Sequence, residues 1–148
     1  MPSNSVRDQI IAATIAALNT STPGGVPAAV RVRMEPYQPS DLPTLTVAPH
    51  TDEGSPLKSD RWGPILERLL IMRVSIYVSG AAPDALADPI IVWCEKTLNS
   101  NPLGALATDI LPGRFEWQYA NEDQAYALLL ADFHVQYQTL RTDPTKTQ

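Results

Sequence analysis

The feature that most constrains this chain is its last long apolar stretch, Gln124 to Thr142, which reads QAYALLLADFHVQYQTLRT. Successive side chains on an extended strand point to opposite faces. Ala125, Ala127, Leu129, Ala131, Phe133, Val135, Tyr137 and Thr139 fall on one side and are apolar nearly throughout. Tyr126, Leu128 and Leu130 begin the other side, which turns polar at Asp132, His134, Gln136 and Gln138. Ala and Leu favour helix in the first half, but the aromatic and β-branched content of the second half and its period of two specify a strand. The stretch therefore reads as one long, central strand. One face is buried throughout; the other is apolar in its first half and needs cover there, from helices or from another subunit.

A chain of 148 residues is long enough to bury a core in one domain, and 44% apolar with 18% charged residues is the composition of a folded protein. The net charge is −5, and no basic stretch marks a nucleic-acid-binding surface. A single cysteine, Cys94, excludes an internal disulfide and a multi-cysteine metal centre, and fits a reducing compartment. The apolar run IIAATIAAL is too short to span a membrane and has no basic region before it of the kind a signal peptide carries, so the cytoplasm is the expected site of synthesis.

Residues Ser5 to Asn19 have the spacing of a helix, with Val6, Ile10, Ala13, Ala17 and Leu18 along one stripe, broadened by Ile11 and Ile15. Ser3 or Ser5 can cap it, and TSTPGGVP ends it. VRVRM (Val30 to Met34) alternates as a short strand. From Glu35 to Pro64 the chain becomes rich in proline and acids, a long arm in which TLTVAP (Thr44 to Pro49) is a strand and HTDEGSPLKSDRWG is polar and turn-like. Loops of that length in a small domain are commonly functional. Ile65 to Ser79 is a second strong strand.

GAAPD then turns into a helix from about Asp84 to Leu98, with Leu86, Ile90, Trp93, Cys94 and Leu98 on its apolar side. Pro89 predicts a kink or a start near Asp88. After the connector LGALATDILPG, RFEWQYA (Arg114 to Ala120) alternates and forms an antiparallel hairpin with the long strand. The polar tail 141–148 is expected to be loose. The predicted fold is α+β: a mostly antiparallel sheet of four to five strands, two main helices on one face, and a Pro-rich arm.

No phosphate loop, dinucleotide fingerprint, zinc-protease motif or nucleophile elbow is present. Cys94 lies on an apolar helix face, where a thiol is inert. His134 sits in a polar strand stripe that lacks a set of metal ligands. Asp84 and Asp88 suit a helix start, and Glu122 and Asp123 a turn. Trp62, Trp93 and Trp117 read as core or interface anchors. The chain is expected to have no enzymatic activity, cofactor or metal.

The C-terminal hairpin, with A-Y-A-L-L-L-A-D-F-H-V-Q-Y-Q-T after a short acidic turn, resembles the tail terminator proteins of long-tailed bacteriophages. The order of elements is similar too. It runs through an N-terminal helix (Val6 to Leu18), a long loop, a hydrophobic strand (Leu69 to Val78), a D-x-x-x-D helix (Asp84 to Leu98), an L-x-x-L connector (Leu103, Leu106) and a hairpin closing V-x-Y-x-T (Val135, Tyr137, Thr139).

The resemblance implies a virion protein forming a homohexameric ring on the last ring of the tail tube. Such a ring ends tube polymerisation, meets the head-side neck or connector protein, and lets genomic DNA pass through without sequence-specific binding. A neck, stopper or tail-completion adaptor, or a small α+β ligand-binding protein, are the alternatives. The surfaces assigned to neighbours are the arm, at Glu35, Tyr37, Asp41, Asp52, Glu53, Asp60, Arg61 and Trp62, and the polar half of the long strand, at Asp132, His134 and Gln136. Charge reversal within Asp41, Asp52, Glu53 and Asp60 is expected to impair assembly more than folding.

Overall fold

The computed structural model describes residues 3–32, 42–54, 64–121 and 125–147. Its elements in chain order are α1 (Val6–Leu18), β1 (Ala29–Arg31), β2 (Thr44–Gly54), β3 (Ile65–Ser79), α2 (Pro83–Leu98), β4 (Asp109–Asn121) and β5 (Ala125–Leu140). The strands form one sheet in the order β1-β2-β3-β5-β4. β1 runs parallel to β2, and every other pairing is antiparallel. The class is the α+β one that the sequence predicts.

The period-two pattern of β3 and β5 becomes the core. Leu70, Met72, Val74, Ile76 and Val78 of β3 lie beside Ala127, Leu129, Ala131, Phe133 and Val135 of β5, all buried on one face. Leu45 and Val47 extend that face onto β2, and Ile110 extends it onto β4. Both helices cover this side: Val6, Ile10, Ile11 and Leu18 of α1, and Ala87, Ile90, Ile91, Cys94 and Leu98 of α2, are buried with it in one cluster. Burying each large aliphatic side chain is worth about 1.5–3 kcal/mol, so this shared face is the main source of stability.

The helix ends are tied down by specific bonds. Ser5 caps α1 by accepting the Asp8 amide at 3.1 Å. At the other end Asn19 clamps the backbone of Ala29, donating to its carbonyl at 3.0 Å and accepting its amide at 2.7 Å. Trp93 Nε1 donates to the Leu18 carbonyl at 3.2 Å, satisfying one of the acceptors that a helix C-terminus leaves open and joining α2 to α1.

Several elements differ from the sequence reading. α2 starts at Pro83, one residue before the expected Asp84, so the late start near Asp88 offered for Pro89 does not occur and Pro89 lies within the helix; a proline at the first helical position has no amide to lose, so Pro83 opens the helix. Leu86 is half-exposed over Gly80 and Ala87 takes the buried position, because the apolar stripe is set by where the sheet lies. β4 begins at Asp109, so the DILPG of the connector is strand, interrupted by a bulge between Pro112 and Phe115.

β2 likewise runs on to Gly54, taking in the HTDEG segment assigned to the arm. A register shift between Pro49 and Thr51 lets it continue along β3 as far as the Gly54–Arg68 pairing. β1 covers Ala29–Arg31 and Val32 is not strand, while Arg33 and Met34 of the predicted VRVRM strand lie outside the described residues. The tail is not a free extension either. The Val6 amide donates to the Pro144 carbonyl at 2.9 Å, Gln9 reaches the Thr145 carbonyl at 3.2 Å, and the Leu140 amide reaches the Lys146 carbonyl at 3.0 Å. Polar composition suggested looseness, but these backbone groups have partners that are distant in sequence.

Candidate assembly surface

Since both helices occupy one face of the sheet, the opposite face carries no helix among the described residues. The even positions of β5 and odd positions of β3 point there, in the registers Leu69–Gln136, Ile71–His134, Arg73–Asp132, Ser75–Leu130 and Tyr77–Leu128. Leu69, Ile71, Tyr77, Tyr126, Leu128 and Leu130 are all half-buried on it. The cover predicted for Tyr126, Leu128 and Leu130 is thus not supplied by α1 or α2.

At the end bearing the β4–β5 hairpin, residues from four strands line one depression: Thr44 and Thr46 of β2, Tyr77 of β3, Gln118 of β4, and Tyr126 and Leu128 of β5. Strands as far apart as β2 and β4 share this depression, so the outer face is concave there. Tyr77 and Tyr126 stack across it with ring centroids 5.8 Å apart.

The middle of this face is polar. Arg73 grips Asp132 in a two-point contact, Nε to Oδ1 at 2.8 Å and Nη2 to Oδ2 at 3.3 Å. The bond to Asp132 holds the Arg73 guanidinium above its ordinary pKa, opposed by burial and aided by the Asp132 and Glu116 charges. Beyond the pair, His134 and Gln136 are exposed. His134 lies against the β4 bulge: a Cβ on Gly113 would meet its ring at 2.5 Å.

The residues predicted to meet neighbours thus separate. Asp132, His134 and Gln136 share the outer face, although Asp132 is committed to Arg73 within the chain. Glu53 is exposed on β2. Asp52 is a correction to the arm reading: its side chain is only 8% exposed. It bonds Arg7 at 2.9 Å, Arg68 at 3.3 Å and the Tyr137 hydroxyl at 2.5 Å. It therefore joins α1 to β3 and β5, and its position on a strand beside that partner set makes it a folding residue. Burial, then the bond to Asp52, pushes the Tyr137 phenol above its ordinary pKa. Glu35, Tyr37, Asp41, Asp60, Arg61 and Trp62 lie outside the described residues.

Neither the Arg73–Asp132 pair nor the Asp52 hub was identified from the sequence. The signal for the first was present: Arg73 and Asp132 each break an apolar run of their strand. Only the register shows that the two interruptions coincide. Phe115 packs on Phe133 at 5.8 Å, whereas Trp117 and Tyr119 are exposed.

Cys94 is buried, with its thiol pushed up to about 12 by desolvation and then by the Glu95 charge, so no nucleophile arises there. Among the described residues no group of three or more His, Cys, Asp or Glu side chains is placed to hold a metal, and no helix is long and apolar enough to cross a membrane.

No protein-family model matches the sequence, and no curated protein sequence does. In structure the chain is similar to a chain of the virion of a native gene transfer agent particle, with a TM-score of 0.52 and 15% sequence identity. The match covers 89% of this chain and 92% of that one, so the two share their fold along nearly their whole lengths.

Proposed function

We propose that this chain is a structural protein of a phage-like virion and that it acts as a tail terminator. In this role it is a non-catalytic homohexameric ring that caps the tail tube, ends its polymerisation and joins it to the head-side neck or connector protein. Genomic DNA passes through the opening without sequence-specific contacts, and an acidic chain of net charge −5 suits passage better than retention. The observation that carries the reading is the likeness in fold, over 89% of this chain, to a virion chain, together with the terminator-like order of elements in the sequence. The helix-free sheet face supports it: half-buried Leu69, Ile71, Leu128 and Leu130 flank an ion pair, a surface suited to a neighbouring subunit. Electron microscopy of the purified protein and of its particle tests this. A six-fold ring at the head-proximal end of the tube is the expected image. A protein that remains monomeric in the presence of tube, with no density at that position, would refute it.

A further inference from the structure

The concave end of the helix-free face has a shape and a chemistry of its own. Thr44, Tyr77, Leu128 and Gln118 lie side by side in one row across β2, β3, β5 and β4. Three inter-strand steps make that row roughly 14 Å long. With Ser75 and Tyr126, which stacks on Tyr77, these residues line a groove of about 340 Å³. Among the described residues no charged side chain lines it. Gln118 is exposed, and its amide carries two N–H donors. The groove therefore suits a neutral, extended group with flat apolar surfaces for the tyrosines and carbonyl oxygens for Gln118. A phosphate backbone or an acidic peptide would find no counter-charge there.

A polyproline-II segment has those properties. It makes no internal hydrogen bonds, so its carbonyls are open to donors, and aromatic grooves recognise it by its proline rings. It has three residues per turn and rises about 3.1 Å per residue, so prolines three apart share one side at a spacing of about 9 Å, shorter than the row. The sequence carries this spacing as Pro36-Tyr37-Gln38-Pro39, outside the described residues, with no charge between the prolines. From this match we infer that the groove is a docking site for the Pro36–Pro39 segment of a second copy of this chain. Thr44 stands at the rim of the groove, and Pro39 is tethered to it within about 18 Å by the reach of the intervening chain. Each copy therefore holds its proline pair close to the face on which the proposed assembly seats the next subunit. The identity of the occupant rests on that proposal; the chemistry of the groove does not.

The test uses the full chain carrying Pro36→Ala and Pro39→Ala, so that only an added peptide supplies the prolines. Peptides spanning residues 35–40, native and with both prolines replaced by alanine, are titrated while NMR follows the amides of Ser75, Tyr77, Gln118 and Leu128. The native peptide is expected to give saturable shifts there, and the alanine peptide to bind at least severalfold more weakly. Tyr126→Ala removes half of the stacked pair and should weaken binding about tenfold. Gln118→Ala, at an exposed position, leaves the core intact and should weaken it severalfold. Shifts that never saturate, or equal binding of the two peptides, would overturn the inference. Sedimentation velocity assigns the occupant. Association of the parent chain that is lost in the double proline variant supports a second copy. A parent that does not associate, or a variant that associates equally well, overturns that assignment and leaves the groove to its own chain or to another protein. A six-fold ring built from a chain that binds neither peptide sinks this inference alone. Peptide binding and proline-dependent association without a ring at the tube end sink the terminator reading alone.

Discussion

Asp52 and Glu53 are adjacent acids on β2, and the structure gives them opposite consequences. Glu53 is exposed, whereas Asp52 holds Arg7, Arg68 and Tyr137. Asp52→Ala removes a hydrogen bond from a phenol to a charged acceptor, worth about 1.5–3 kcal/mol. It also removes the pairing of Arg68, whose side chain is 20% exposed, at about 1 kcal/mol once solvent screening is allowed for. The contact with Arg7, 41% exposed, adds only about 0.2–1 kcal/mol. The total is roughly 3–5 kcal/mol, and at about 2–4 °C per kcal/mol for a domain of this size even the lower figure lowers Tm by about 6–12 °C. Asp52→Asn keeps an acceptor for Tyr137 and should lose less. Asp52→Lys places a third cation between two arginines and should lose most. Glu53→Lys should stay within about 0.5 kcal/mol of the parent. Thermal melts by circular dichroism at neutral pH, with urea denaturation to give free energies, measure the series. If Asp52→Ala melts within about 1 °C of the parent, or Glu53→Lys is as damaging, the account of Asp52 as a folding residue is wrong.

Other outcomes follow from single contacts. Gly113→Ala should destabilise by about 1–3 kcal/mol, because its new Cβ would meet the His134 ring at 2.5 Å and the Asp132 carbonyl at 2.9 Å. Adding His134→Ala should recover only part of that loss, since the backbone clash persists. Cys94 should react with a maleimide at pH 8 only at the rate of unfolding. Its folded-state thiol lies near 12 against an ordinary 9.0, so its contribution is complete below pH 9 and is lost as pH rises from 9 to 12. Cys94→Ala should flatten that part of the stability–pH curve. Leu130→Lys, on the helix-free face, should shift Tm by under about 3 °C yet abolish ring formation measured by sedimentation. Intact rings from this variant would remove the outer face from the proposed interface.

The parts of the fold legible in the sequence are those specified by local periodicity. β5 and β3 appear as alternation, α1 as a 3.6-residue stripe with Ser5 before it, and Cys94 as a buried thiol on an apolar helix face. Three of the readings that failed share a cause. HTDEG at the end of β2, DILPG at the start of β4 and the tail after Leu140 are polar or proline-containing, so composition marks them as loops. Their backbone groups are nevertheless paired with segments far away in the chain: β2 with β3, β4 with β5, and the tail with α1. The candidate surface was legible in half. The sequence shows that β5 has an apolar half-face needing cover, but not that both helices would lie on the opposite side.

What the sequence determined alone was the α+β class, the two principal strands, the positions of both helices and the lack of recognisable catalytic motifs, because each of these depends on residues near one another in the chain. What only the tertiary structure decided was which polar groups meet. Arg73 and Asp132 are 59 positions apart, and Tyr137 and Asp52 are 85 apart. Strand register, set by the packing of the whole buried face, brings them together. It makes Asp52 part of the folding core and places Glu53, its neighbour, in solvent.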